Sequence, residues 1–84
     1  MKTLTRTPTI SIRPAAAADD RTLMRLAALD SAPVPSGEVL LADIDGEPRA
    51  ALSLLDGSVV ADPFERTADV VRLLQVHATA VLAA

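Results

Sequence analysis

The chain has no cysteine, no tryptophan, no tyrosine and no asparagine, and it carries one histidine, one lysine and one phenylalanine in 84 residues. Without cysteine, neither disulfides nor thiolate metal sites can hold it together. With a single aromatic there are no stacking platforms for single-stranded nucleic acid, and a net charge of −3 lacks the basic patches that phosphate backbones need. Nucleic-acid binding is not expected. No apolar run approaches the ~18 residues of a membrane span. Met1 to Thr9 holds Lys2 and Arg6 but no apolar core of a signal peptide. The expectations are a cytoplasmic protein with no membrane role. Seven arginines to one lysine suggest a GC-rich bacterial source.

What is present is aliphatic. Half of the residues are hydrophobic, many of them alanine, and alanine adds little burial. A chain of this size buries roughly 60 to 65% of its surface, so a partner subunit is a natural source of further burial. Residues 1–8 read as a flexible tail and 9–84 as one domain.

Thr9 to Arg13 alternates and is β-branched, which predicts a strand ended by Pro14. Ala15 to Leu29 predicts a helix: alanines favour it, Asp19 and Asp20 suit its positive first turn, and Leu23, Leu26 and Ala27 recur at helical spacing. Ser31 to Gly37 has two prolines and reads as a loop. Glu38 to Ile44, Arg49 to Leu55 and Ser58 to Asp62 predict three strands. Asp45-Gly46 and Asp56-Gly57 each read as a tight turn between them, since Asp-Gly suits positive φ. Leu40, Ala42 and Ile44 point to one face while Val39 and Leu41 point to the other, so the sheet needs cover on both sides.

Thr67 to Leu82 predicts the last helix, with Thr67 as N-cap and Asp69 in the first turn. Val70, Leu74, His77 and Val81 form a stripe that Val71, Ala78 and Leu82 widen, and Leu73 and Val76 extend it. A helix this apolar is well buried or part of an interface. The fold class is α+β: β-α-β-β-β-α, a mainly antiparallel four-stranded sheet with a helix on each face.

The segments IRPAAAADDRTLMRLAALD, VLLADIDGEPRAALSL and VVADPFERT, in that order, resemble the first half of a GNAT-type N-acetyltransferase domain over residues 9 to 82. The resemblance implies a site for the acetyl-CoA pyrophosphate after the fourth strand, where members carry a glycine-rich loop whose N–H groups face the phosphates. Here that position reads Asp62-Pro63-Phe64-Glu65-Arg66-Thr67, with no glycine and a proline that has no N–H. Asp62, Glu65 and Asp69 bring negative charge, each like-charge contact costing about 1 to 4 kcal/mol at ~4 Å. The cofactor loop is read as degenerate. The resemblance implies a general-base carboxylate on the central strands, of which Glu38 or Asp43 would be a relic; the alternative is an ordinary strand-end or turn charge. No metal site is expected.

Val59, Phe64, Leu73, Val76, His77 and Val81 are the interface candidates. His77 has no second His or Cys to act with and reads as packed or interfacial. Phe64 reads as a plug between the last strand and helix, or as an exposed contact residue. Three functions stay open: a non-catalytic GNAT-derived module that self-associates, with Ser58–Asp62 as its unpaired edge; an acyltransferase or acyl-CoA binder whose cleft a second chain completes; and a small adaptor docking through its last helix.

Overall fold

The computed structural model describes residues 8–83. Apart from Pro8, the expected tail lies outside them. The elements are β1 (Ile10–Pro14), a 3₁₀ turn (Ala17–Asp19), α1 (Asp20–Leu29), β2 (Val39–Ile44), β3 (Glu47–Ser53), β4 (Val59–Ala61) and α2 (Ala68–Ala83). The four strands form one antiparallel sheet in the order β1-β2-β3-β4. The expected β-α-β-β-β-α order is the one observed.

Strand alternation divides the core in two. Val39, Leu41, Ala51 and Val60 pack against Leu23, Leu26 and Ala27 of α1. Leu40, Ala42, Ala50 and Leu52 pack against Val70, Leu74 and Ala78 of α2. Each helix therefore covers one face. Helix α1 lies over β3 and β4, whereas α2 lies over β2 and β3. Strand β1 is thus the least covered on both faces. On the α1 side it presents Ser11 and Arg13; on the α2 side it presents the half-buried Ile10 and Ile12.

Several boundaries move for local reasons. Strand β1 runs on through Pro14, which sits opposite Leu40. At an edge position whose N–H would point away from the sheet, proline costs no ladder bond. Ala15 does not start the first helix, because its N–H is held by the Val39 carbonyl at 2.8 Å. The helix begins only at Asp20, after a 3₁₀ turn in which the Asp19 carboxylate accepts the Ala16 N–H at 2.7 Å. Strand β3 starts earlier than expected, at Glu47, and admits Pro48 at a bulge: Ala42 pairs with Ala50 but Asp43 with Pro48, so Arg49 is the extra residue.

The two Asp-Gly turns differ. Asp45 and Gly46 have φ of 52° and 85° and join strands paired through Ile44 and Glu47. That is the two-residue turn the sequence predicts. Asp56-Gly57 corrects the expectation. Only Gly57 has positive φ, and a four-residue loop, 54–57, bridges Ser53 and Ser58, whose N–H and C=O pair at 2.8 Å. The Ser53 hydroxyl holds this loop by accepting the Leu55 N–H at 3.1 Å and donating to the Ser36 carbonyl at 2.7 Å. Leu55, expected in a strand, is exposed in this loop.

Helix α1 ends in a left-handed cap at Ser31, φ 51°. The N–H groups of Ser31 and Ala32 return to the carbonyls of Ala28 and Ala27 at 3.2 and 2.9 Å. This double closure is usually built on glycine. Helix α2 starts directly after Thr67, whose carbonyl accepts the Val71 N–H at 2.8 Å.

Candidate functional site

Three places on this scaffold collect the residues singled out by the sequence. The first is the turn after β4. Asp62 is buried, and both of its carboxylate oxygens are used: Oδ2 accepts from Arg49 Nη1 and Oδ1 accepts the Phe64 N–H, each at 2.9 Å. The Asp62 carbonyl takes the Glu65 N–H at 3.3 Å. The turn is closed on itself, with the Phe64 and Glu65 amides both bound to Asp62. Pro63, Phe64, Glu65 and Arg66 are exposed, and Thr67 is half-buried.

The second is a charged cluster on the α1 side of β1 and β2. The Arg13 guanidinium donates to both oxygens of Asp19, at 2.8 and 3.0 Å, and its Nε lies 3.7 Å from Asp43 Oδ2. The bond from Arg13, with help from the Ala16 N–H, lowers the Asp19 pKa from 3.8 to about 2. Asp43 Oδ1 is shielded from solvent and has no hydrogen-bond partner among the described residues. Glu38, the other candidate base, is exposed just ahead of β2, five residues before Asp43, or roughly 17 Å along an extended chain. It lines a cleft with Leu54, Leu55, Val81 and Leu82. The structure does not bring Glu38 and Asp43 together.

The third is apolar. Between α2 and β1 runs a groove of about 470 Å³, lined by Ile10, Ile12, Leu73, Val76, His77 and Ala80. It continues past Ile10 into a second depression lined by Ile44, Phe64, Arg66 and Asp69. His77 is exposed on its wall, not packed in the core. Phe64 is 79% exposed, which corrects its reading as a plug. Leu73, Val76, Val81 and Leu82 are also exposed, so α2 buries only the narrow stripe of Val70, Leu74 and Ala78. Of the interface candidates, Val59 alone is half-buried and packs against the α2-side core.

Sequence reasoning missed the ion pairs and one strand-edge contact. The Asp30 carboxylate, at the end of α1, accepts the Ala61 N–H of β4 at 3.1 Å. An acidic residue at a helix C-terminus opposes the helix dipole, and that misfit was the available signal that Asp30 serves another element. No helix among the described residues is long and apolar enough to cross a membrane. No protein-family model, no curated protein and no solved structure matches this chain.

Proposed function

We propose that the chain is a non-catalytic association module that self-associates, built on a scaffold resembling the first half of a GNAT domain and working in the cytoplasm. The observation that carries this reading is the uncovered apolar surface of α2 and β1. Phe64 at 79% and Val76 at 63% exposure, beside the Ile10–Ile12 groove, with Leu82 at 65% in the cleft by Leu54 and Leu55, are a large apolar display for a chain this small. The closed 62–67 turn supports the non-catalytic part. Its carboxylate is spent on Arg49 and its own backbone.

Light scattering on a sizing column tests the reading, from about 10 μM to 1 mM, where weak dimers form. Reversible dimerisation is expected. A monomer across that range would end it. Acetyl-CoA at millimolar concentration is expected to leave the melting temperature unchanged, and a clear upward shift would favour an acyl-CoA site instead.

A further inference from the structure

The two outer strands do not present the same edge. On β4, the Ser58 carbonyl and the Asp62 N–H are bonded to β3 at 2.8 Å, so Val59 and Ala61 turn their backbone outward. The Asp30 carboxylate occupies that side by taking the Ala61 N–H. Asp62 and Pro63 follow at once, the proline lacking a donor. On β1, the Thr9 carbonyl and the Ala15 N–H are bonded to β2 at 2.8 Å. By the same alternation Ser11 and Arg13 face β2, and Ile10 and Ile12 direct N–H and C=O away from the sheet. No described element lies on that side.

Charge separates the edges as well. Around a twofold axis residue i of one copy meets residue j of the other and j meets i, so both copies bring the same charges to the seam. Pairing through β4 would bring the Asp30 carboxylates of both copies to one seam, whereas Asp62 is held by its own Arg49. The β1 seam is Ile10, Ser11 and Ile12, all uncharged, and the nearest charge, Arg13, is held by its own Asp19.

We infer that β1 is the edge at which a second copy of this chain adds, antiparallel, with Ser11 on the axis and Ile10 opposite Ile12 of the second copy. Four main-chain hydrogen bonds then close the seam, and the isoleucines meet on the α2 side. In this register Pro8 faces Pro14 of the second copy at both ends, so the residues without an N–H lie opposite each other, outside the four bonds of the seam. The sheet becomes eight-stranded, and the two grooves join into one apolar valley between the α2 helices. This inference rests on the self-association proposed above.

The test is the dimer dissociation constant of the wild type, Ser11→Lys, Ser11→Asn and Val76→Asp. Ser11 is exposed, and its neighbour across the β1–β2 ladder is Asp43, so a lysine there is compatible with the fold; a circular dichroism melt verifies this for each variant. Ser11→Lys sets two ammonium groups across the axis and is expected to weaken the dimer by at least about fivefold, while Ser11→Asn stays near wild type. If Val76→Asp abolishes a wild-type dimer that Ser11→Lys leaves intact, self-association stands and the β1 seam is wrong. A wild-type chain that never dimerises overturns both.

Discussion

The first and last strands are both edges of one small sheet, yet one has an outward donor capped by a carboxylate and the other does not. Strand β4 has its outward N–H at Ala61 taken by Asp30, and its exit is pinned by the Asp62–Arg49 pair. Strand β1 has Ile10 and Ile12 facing outward beside an apolar groove. Natural sheets blunt the edges they do not use with charge, proline or short strands. Finding that treatment on β4, three residues long, teaches that edge protection differs strand by strand, here through a carboxylate brought from the end of α1. It also sets the proposed β1 seam against the expectation that Ser58–Asp62 is the edge for association.

The largest effect on this contrast is expected at Asp62. Asp62→Ala leaves the Arg49 guanidinium without its 2.9 Å partner and frees the Phe64 N–H. Because Arg49 is a quarter exposed, the loss is smaller than for a fully buried pair: about 2 kcal/mol in a urea denaturation. Asp30→Ala removes one hydrogen bond from the β4 edge. It should cost about 1 kcal/mol and, more tellingly, increase self-association by opening a second edge. Ser31→Gly should stabilise the chain by up to about 1 kcal/mol, since glycine adopts the positive φ of the α1 cap without the penalty serine bears. Phe64→Ala should change monomer stability by less than about 0.5 kcal/mol, because the ring is mostly in solvent.

A pH series tests the β1 side. Asp19 titrates lower in the folded state than unfolded, about 2 against 3.8, so its ionised form is the one the fold favours. Its contribution is complete above the unfolded value and disappears as pH falls from near 4 toward 2. In Asp19→Asn that part of the acid sensitivity should be gone, as read from melting temperatures between pH 5 and 2.

Much of the fold was legible because its determinants are local. The alternation of β2 and β3 and the left-handed requirement at Asp45-Gly46 act within a few residues. The second Asp-Gly was misread because its loop is set by Ser53, whose hydroxyl bonds Ser36 from a distant loop. The α2 surface was half legible. Its apolar circumference is plain in the sequence, but which side stays bare depends on where the helix settles, and α2 settles over β2 and β3. Phe64 was misread because its turn is held by the Asp62 carboxylate accepting its N–H, and the ring stands in solvent. The charged clusters were illegible because Arg13, Asp19 and Asp43 meet only once β1 and β2 pair.

The most direct measurement is amide hydrogen exchange at Ile10, Ile12 and Ala61 in dilute and in concentrated solution. Ala61 should be protected at both concentrations by the Asp30 carboxylate. Ile10 and Ile12 should exchange freely when dilute and become protected when concentrated. Exchange at Ile10 and Ile12 that ignores concentration, or an Ala61 amide as fast as theirs, would contradict the difference between the two edges.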